Sequence, residues 1–380
     1  MQDPYPFYTR ARRAGAFFHW AEYDLTCTGS AAAVTAIFRD RRFGREVPAE
    51  LTPVIPPHQQ PFYDIEAHSM LELEPPRHTR LRALVLRAFT SRRISALAPD
   101  VTRLSHDLID AFPDGPFDLL RHFGQKLPVI LIARLLGVPE SMADDLLRWS
   151  NAMVGMYQAR RTREMEDAAA QASRDFTAFL TGYIEARRAA PADDLITHLI
   201  AAEAEGERLS TAELISTCIL LLNAGHEATV HTIGNGVKSL LEARIQQGAL
   251  APDSIAATVE EVLRFDPALH MFTRWAYAPV EVMGHTFRRG DRVGLLLGAA
   301  NRDPAAWDEP DRFRPNRPVK PSTTFGGGLH FCVGAPLARL ELQIALPILW
   351  QRLPGLALAE APRYGNVYHF HGLDRLMVRA

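Results

Sequence analysis

Apolar residues recur at every third or fourth position over much of the chain, which is the spacing of amphipathic helices. This periodicity dominates residues 95–205. The breaks in it lie near residues 113–116, at Pro139 and near residues 189–193. A shorter helical run, HTRLRALVLRAF, follows Pro75 and Pro76, two residues that fit a helix start. The proline-rich stretch at residues 51–63 predicts an extended loop.

The longest helical segment begins at a capping box, Ser210-Thr-Ala-Glu213, and continues through LISTCILLLNAGHEATVHTIGNGVKSLLEA. A helix of about 30 residues is roughly 45 Å long. Gly225, Gly234 and Gly236 lie inside it, although each glycine costs about 1 kcal/mol relative to alanine in a helix interior. A local distortion or a closely approaching ligand would explain the first of them.

The last third of the chain has a different pattern. Short strand-like runs with turn signals at residues 276–298 predict a small sheet. A coil rich in Pro, Asp and Arg follows at residues 299–324, and a last helix is predicted from about Gly334 to about Leu353. Residues 367–378 predict another short strand pair. We therefore predict a mainly α fold with a small β part, organised as a single domain over residues 1–380.

Composition narrows the class of protein. Apolar residues are 47% of the chain and charged residues 23%, which is typical of a soluble globular protein. With 42 basic and 44 acidic residues the net charge is −2, so nothing suggests binding to nucleic acid or to an anionic membrane. Charges and prolines interrupt the N-terminal segment, which predicts neither a signal peptide nor a membrane anchor. Three cysteines do not form a disulfide framework and fit a reducing compartment, so we predict a cytoplasmic protein.

The segment FGGGLHFCVGAPLAR, residues 325–339, carries the strongest chemical signal. A glycine-rich loop allows the backbone to approach a flat macrocycle closely. Cys332 comes just before the last predicted helix, where free backbone N–H groups and the helix dipole stabilise a thiolate. For an isolated cysteine, a structural role in a glycine turn would be the better interpretation.

The whole segment decides between these interpretations. Phe-Gly-x-Gly-x-His-x-Cys-x-Gly-x-x-Leu-Ala-Arg is matched at every fixed position, and this pattern resembles the heme-binding signature of cytochromes P450. The resemblance implies the P450 fold, with heme b (iron protoporphyrin IX) between the long central helix and the cysteine-loop helix. Cys332 is then the iron ligand. The residues expected to contact the heme are Ala224, Gly225, Phe325, Gly326 and Gly334.

Four cations resemble the residues that bind heme propionates in this family. His78 and Arg82 lie four residues apart on one predicted helix, Arg274 follows the next family motif, and His330 lies in the cysteine loop. Together they supply the positive groups that two buried carboxylates need.

Glu261-Val-Leu-Arg264 resembles the Glu-x-x-Arg pair of the family. Its expected third member is Arg317, in the coil before the cysteine loop. The implied role is structural, because a buried ion network would hold the coil that supports the thiolate.

The central helix departs from the family pattern at one position. Ala224-Gly225-His226-Glu227-Ala228-Thr229 resembles the oxygen-activation stretch, with Glu227 as the acid. Ala228 occupies the usual threonine position, and Thr229 is displaced by about 100° around the helix. Since that threonine normally helps to relay protons, two explanations stay open. Either a substrate hydroxyl or an ordered water replaces it, or the chemistry is peroxide-driven or otherwise different.

The resemblance implies a heme-thiolate monooxygenase that inserts one atom of dioxygen into a small organic substrate. Candidate substrate-facing residues by family position are Ile65, Asn223, Leu269, Met271, Phe272 and Phe370. Polar residues of the same segments are His58, Gln59, His270 and His369. This mixture suggests a largely apolar molecule with at least one polar group.

The electrons for such a reaction must come from a separate protein, because the chain has no flavin or iron–sulfur signature. We expect a ferredoxin-type donor with its reductase. Cations that would attract an acidic donor are Arg77, Arg80, Arg87, Arg92, Arg93, Arg312, Arg314 and Lys320; scattered solvated arginines are the equally weighted alternative.

Two other function classes remain. Ala228 keeps a peroxide-driven or non-oxygenating heme-thiolate enzyme open, whereas Glu227 favours monooxygenation. A heme-based sensor or ligand carrier is less favoured, because a sensor usually needs an output domain and one fold accounts for the 380 residues.

Overall fold

The computed structural model describes residues 2–204, 206–245, 247–368 and 370–380. The prediction of a mainly helical fold with a small β part is confirmed. The helices are α1 (Tyr5–Ala14), α2 (Ala31–Arg39), α3 (Gln60–Glu66), α4 (Arg77–Ala88), α5 (Ser91–Ala96), α6 (Ala98–Asp110), α7 (Lys126–Leu136), α8 (Ala143–Val154), α9 (Arg163–Ala189), α10 (Leu195–Ala201), α11 (Thr211–Glu242), α12 (Ile255–Phe265), α13 (Leu297–Ala300) and α14 (Ala335–Arg352). The strands are β1 (Phe18–Trp20), β2 (Leu25–Thr28), β3 (Phe43–Gly44), β4 (Phe117–Asp118), β5 (Glu203–Ala204), β6 (Glu207–Arg208), β7 (Met271–Ala276), β8 (Val280–Val282), β9 (His285–Phe287), β10 (Arg292–Leu296), β11 (Ala357–Leu358), β12 (Arg363–Tyr364), β13 (Leu373–Arg375) and β14 (Met377–Arg379).

Two compact units divide the chain, and each is built from separate stretches of sequence. The first unit contains residues 1–51, 101–125 and 228–380, and the second contains residues 52–100 and 126–227. That residues 1–380 act as a single domain stays a prediction.

The first unit is built around a five-stranded sheet in the order β1-β2-β10-β7-β3. Strands β2 and β10 are parallel, and the other neighbours are antiparallel. Because side chains alternate along a strand, β10 contributes to two separate cores. Val293 and Leu295 pack with Ile37 of α2, whereas Leu296 packs with Tyr8 of α1.

In the second unit, the 27-residue helix α9 packs against α8 and α3. Its buried face has helical spacing at Ala169, Ser173, Phe176 and Leu180. The ring of Phe176 lies 5.1 Å from that of Trp149 in α8, so an aromatic pair joins the two helices.

Helix α11 is the long central helix and begins with the predicted capping box. The Ser210 N–H donates to Glu213 Oε2 at 2.9 Å, and the Glu213 N–H donates to Ser210 Oγ at 3.3 Å. The helix continues without a break through Gly225, so no distortion explains that glycine. A Cβ there would lie 3.1 Å from the Ile132 side chain of α7, which shows that a neighbouring helix approaches closely.

Two local predictions are wrong. The stretch 51–63 is an extended loop only in part, because residues 52–56 are coil but a 3₁₀ turn at Pro57–Gln59 leads directly into α3. Pro57 and Pro61 lie in the first turns of these two elements, where a missing N–H costs nothing. The C-terminal strands are present but do not pair with each other. Strand β13 pairs with β12, and β14 pairs with β11 and β4.

Within the described ranges, no helix combines the length and the apolar character needed to cross a membrane.

Candidate active site

The cysteine loop is held in a tight conformation that requires glycine. Gly326 and Gly328 have φ angles of +68° and +64°, in the left-handed region that other residues rarely adopt. A Cβ on Gly328 would lie 1.8 Å from the backbone oxygen of Phe38 in α2. The Cys332 N–H donates to the Phe325 oxygen at 3.1 Å and closes the turn.

Cys332 is exposed and comes three residues before the start of α14. This position places its thiol near the free N–H groups of a helix start, which favour a thiolate. Two apolar neighbours in the loop are also exposed, Leu329 by 38% and Phe331 by 41%. A loop that combines glycine-dependent backbone, an exposed thiol and exposed apolar side chains fits a flat, apolar group with a metal at its centre.

The coil before the loop is tied down by the predicted ion network. Arg264 donates to both Glu261 oxygens, at 2.7 and 2.8 Å, and Arg317 donates to Glu261 at 3.2 Å. The three side chains are 1%, 2% and 7% exposed for Arg264, Glu261 and Arg317. Both guanidinium groups also donate to backbone oxygens of the coil, including those of Glu309 and Arg312. Bonding of this kind is what buried charges require.

A second brace was not predicted from the sequence. Asn301 donates to the Thr324 hydroxyl at 2.9 Å, and its side-chain oxygen accepts from the Thr323 N–H at 2.8 Å. The Thr324 hydroxyl donates to the Leu263 oxygen of α12 at 2.7 Å. These polar side chains position the chain one residue before the cysteine loop. In the sequence, Asn301 merely ends an apolar run, and this pattern is too common to identify a structural brace.

The signature arginine connects the two helices behind the loop. Arg339 of α14 donates to both carboxylate oxygens of Glu260 in α12. Its guanidinium also lies 4.7 Å from the ring of Phe325. Arg339 is therefore a positioning residue for the start of the loop.

The four candidate propionate ligands are divided between the two units. In the first unit, Arg274 is buried and its guanidinium lies 5.0 Å from the ring of Phe38, which also contacts Gly327 of the cysteine loop. His330 ends the short 3₁₀ turn of that loop. In the second unit, His78 is buried and Arg82 is half-buried on α4. The role of these four residues toward heme propionates stays a prediction.

Ala224 on helix α11 is exposed, and the residues on either side of it, Asn223 and Gly225, are half-buried. Ala228 follows one turn later and is half-buried, whereas Thr229 is only 6% exposed. The next residue with a hydroxyl on the helix, Thr232, donates to the Ala228 oxygen at 2.6 Å. The helix face marked by Ala224 and Ala228 therefore carries no hydroxyl at either position.

His226 turns away from that face. Its ring is buried, with Nδ1 at 3.2 Å from the Leu222 oxygen and 3.4 Å from the hydroxyl of Ser150 in α8. Its Nε2 lies 3.7 Å from the carboxylate of Glu227. The structure thus brings the predicted acid next to an imidazole that the sequence did not assign.

Two of the proposed substrate-facing residues lie on opposite faces of one strand. Met271 and Phe272 are consecutive in β7, so they point to opposite faces of the sheet. Met271 packs with the core of α1, and Phe272 packs beside Phe38 and Gly326. Of these two residues, Phe272 is the one that lies beside the cysteine loop, and the substrate-facing role of both stays a prediction.

The remaining candidates occupy separate places. Leu269 and Phe370 form an isolated antiparallel bridge in the first unit, and His270 beside them is fully buried. In the second unit, Ile65 is buried, and Asn223 donates to the sulfur of Met153 at 3.8 Å. His369 lies outside the described residues.

Many of the arginines proposed to attract an electron donor are already paired. Arg80 pairs with Glu207 and Glu213, and Arg93 pairs with Asp193. In the coil, Arg312 pairs with Glu309, and Arg314 pairs with Asp308 and Glu309. These pairs weaken the positive potential that the sequence suggested.

Comparison with known proteins identifies the family. The family model described as Cytochrome P450 matches residues 255–354. Cytochrome P450 107B1 of Saccharopolyspora erythraea is 41% identical over 323 residues, which are 83% of this chain and 78% of that protein. The chain belongs to the cytochrome P450 family.

This P450 matches some relatives over their full length. The biotin biosynthesis cytochrome P450 of Bacillus subtilis is 34% identical over 387 residues, covering 100% of this chain and 96% of the relative. The crystal structure of P450BioI in complex with hexadec-9Z-enoic acid ligated acyl carrier protein aligns with a TM-score of 0.93. That alignment has 34% identity and covers 99% of this chain and 98% of the other.

Family membership confirms the predicted enzyme class. The P450 is an oxidoreductase, a heme-thiolate monooxygenase that acts on a small organic substrate and receives electrons from a redox partner. The relatives give no support to the peroxide-driven, non-oxygenating or sensor alternatives.

Proposed function

We propose that this P450 binds heme b through Cys332 and inserts one atom of dioxygen into a largely apolar small organic molecule that carries a polar group. The observation that carries the proposal is the cysteine loop, in which two left-handed glycines place the backbone against α2 and leave the Cys332 thiol exposed before α14. Heme with a thiolate ligand supplies the chemistry, since electron donation from sulfur favours cleavage of the O–O bond.

Cys332→His tests the thiolate directly. Wild-type protein reduced under carbon monoxide should show the red-shifted Soret band of a thiolate ligand, and the variant should lose it. Cys218→Ala is the matched control, because Cys218 is a buried thiol of α11 and is not part of the cysteine loop. Retention of the band in Cys332→His would contradict the assignment of the iron ligand.

The propionates of the heme are assigned to His78, Arg82, Arg274 and His330. The support is chemical, because buried carboxylates need charge-assisted hydrogen bonds. Arg274 and His78 are themselves buried, which places two of the four candidate donors away from solvent.

Proton delivery on the oxygen side is assigned to Glu227 together with a substrate hydroxyl or an ordered water. Ala228 has no proton to donate, and the Thr232 hydroxyl is engaged with the Ala228 oxygen. The relay would therefore be completed by a hydroxyl of the substrate or by a water molecule.

Ala228→Thr tests the relay through the coupling of electrons to product. We expect less hydrogen peroxide per electron consumed, because the added hydroxyl would complete the proton relay and an incomplete relay releases reduced oxygen as peroxide. Ala228→Val is the matched control, since valine has nearly the shape of threonine and no hydroxyl. Equal peroxide release by the two variants would refute a missing hydroxyl.

The substrate is proposed to be mostly apolar, because apolar side chains would line its pocket. Leu269, Phe272 and Phe370 belong to the expected pocket segments. A solved relative, P450BioI, carries a hexadecenoic acid on an acyl carrier protein, which is an apolar chain with a polar end. Spectral titration with a panel of medium- and long-chain acids, their carrier-protein thioesters and macrocyclic lactones should identify ligands that displace the sixth iron ligand. Binding only of small charged molecules would contradict the proposal.

The electron donor is proposed to be a ferredoxin with its reductase, and the compartment to be the cytoplasm. Three cysteines for 380 residues support a reducing compartment. Reconstituted turnover with ferredoxin, reductase and substrate would support the donor class. Turnover with hydrogen peroxide alone, and none with the reductase system, would favour the peroxide-driven alternative that Ala228 suggests.

A further inference from the structure

A buried cluster of metal-binding side chains lies in the first unit, and none of its members is assigned to the heme. Asp266 follows α12, His270 precedes β7, and His371 belongs to the C-terminal segment. Their exposed fractions are 4%, 0% and 4%. One potential ligand atom of each residue lies within 4.8 Å of those of the other two.

The backbone brings these three distant positions together. The Leu269–Phe370 bridge joins the two segments, and the His371 N–H donates to the Ala268 oxygen at 2.7 Å. Asn235 of α11 donates to the backbone oxygens of both Asp266 and His371, at 3.1 and 2.8 Å. The cluster is thus held together by backbone hydrogen bonds that do not use the side-chain nitrogens of the two histidines.

The two imidazoles present nitrogens that lack a hydrogen bond. In the part of the chain that the structure describes, neither His270 Nε2 nor His371 Nε2 has a hydrogen-bond partner. Both atoms face the same carboxylate oxygen, Asp266 Oδ1, at 3.9 and 3.6 Å. A buried polar atom without a partner is rare and needs a cause.

The surroundings match those of a protein metal site. The Tyr8 hydroxyl lies 2.8 Å from His270 Nδ1 and 2.6 Å from the Tyr368 hydroxyl. Tyr5 donates to Asp266 Oδ1 at 2.6 Å, and Tyr364 donates to Asp266 Oδ2. Histidine and carboxylate ligands of metals are held by second hydrogen bonds of this kind.

We propose that Asp266, His270 and His371 bind a divalent transition-metal ion, with zinc as the best fit. Two imidazole nitrogens and one carboxylate oxygen, with one position left for water, are a known zinc ligand set. Two cations near the cluster would repel a metal ion only weakly, because each is paired with a carboxylate. Arg302 lies 3.6 Å from Asp311, and Lys238 lies 2.9 Å from Glu242.

Distances favour a metal over a bridging water. Zinc bonds of about 2.0–2.2 Å in a tetrahedral site put neighbouring ligand atoms roughly 3.4 Å apart. Hydrogen bonds of about 2.8 Å to a tetrahedral water would put them roughly 4.5 Å apart. The two separations from Asp266 Oδ1, 3.6 and 3.9 Å, are both closer to the value for zinc.

The bound ion would act as a structural clamp. It would join the segment between α12 and β7 to the C-terminal segment on either side of the Leu269–Phe370 bridge. Such a site contributes its binding free energy to folding. This inference does not depend on which substrate the enzyme oxidises.

The test uses heme-loaded protein without an affinity tag, so that Cys332 is engaged and no tag binds metal. After treatment with a chelator and exposure to zinc sulfate, elemental analysis should find about one equivalent of zinc per chain in addition to heme iron. His371→Gln and Asp266→Asn should lose most of this zinc. His19→Gln is the matched control and should retain it, because His19 is exposed and far from the cluster in sequence.

A second measurement needs no variant. Anomalous diffraction at the zinc edge from wild-type crystals should give a peak between the three side chains. The ferrous–CO spectrum shows whether a variant has folded. If the variants do not fold, the diffraction result from the wild-type protein tests the proposal by itself. Wild-type protein that binds no zinc and shows no peak would overturn the proposal and identify the cluster as a hydrogen-bonded or water-filled core. Zinc that persists in both variants would overturn it as well.

Discussion

Glu261→Gln isolates the contribution of one buried charge behind the cysteine loop. The substitution keeps the size and hydrogen-bonding shape of the side chain but removes its negative charge. Arg264 and Arg317, 1% and 7% exposed, would then share a buried site without a counter-ion. Breaking a buried ion pair in this way costs about 3–5 kcal/mol.

The cost can be converted into a melting temperature. Unfolding entropy is about 2.1 cal/mol/K per residue, which is about 0.8 kcal/mol/K for a chain of this length. The apparent melting temperature should therefore fall by roughly 4–6 °C. The coil that carries Arg317 also supports the cysteine loop, so we expect heme to be lost at the same temperature.

Glu260→Gln is the matched control on the same helix. Glu260 pairs with Arg339, and the two side chains are 17% and 32% exposed, so solvent screens the pair. Its loss should cost about 0–1 kcal/mol. Heat-induced loss of the ferrous–CO thiolate band, recorded at one scan rate for all proteins, measures both effects. Equal shifts for the two variants would refute the claim that burial makes Glu261 special.

Two further predictions follow from the first unit. Gly328→Ala should sharply reduce heme incorporation, because the added methyl would lie 1.8 Å from the Phe38 oxygen in a left-handed backbone conformation. Gly327→Ala should have a milder effect, because its methyl would meet only the Phe38 side chain, at 3.2 Å. The heme absorbance of the purified proteins measures both effects. Burial raises the pKa of Glu341 to about 8, so the folded state holds a proton that the unfolded state releases, and stability should fall as pH rises from about 5 to 8. Glu341→Gln should flatten that decline in urea midpoints, and an unchanged slope would contradict the assignment.

Most of the longer helices were predictable because local spacing specifies them, whereas α3 was missed in a proline-rich stretch. The capping box at Ser210 and Glu213 marked the start of α11, and apolar periodicity marked its length. The strands of the main sheet were mostly missed. Strand β2 pairs with β10 and β3 pairs with β7 across more than 200 residues, and strands of two to six residues have too little alternation to be recognised.

The candidate site divides in the same way. The cysteine loop could be read from its sequence because its glycines and its thiol are consecutive in the chain. The Asn301–Thr324 brace and the Asp266–His270–His371 cluster could not, since each depends on a contact between distant segments. Met271 and Phe272 were assigned to one pocket because their strand was not predicted, and alternation along β7 separates them.

The register of α11 determines what the missing hydroxyl means. Thr229 would reach the face of Ala228 only if the helix rotated by about 100°. Close contacts hold the helix on both sides of these residues, because a Cβ at Gly225 would lie 3.1 Å from Ile132 and one at Gly234 would lie 2.8 Å from Leu120. A rotation would bring neighbouring side chains, which do have Cβ atoms, into those contacts. The helix therefore does not supply Thr229 as a substitute, so in the proposed relay the hydroxyl comes from the substrate or from water, and we expect coupling to improve with substrates that carry one.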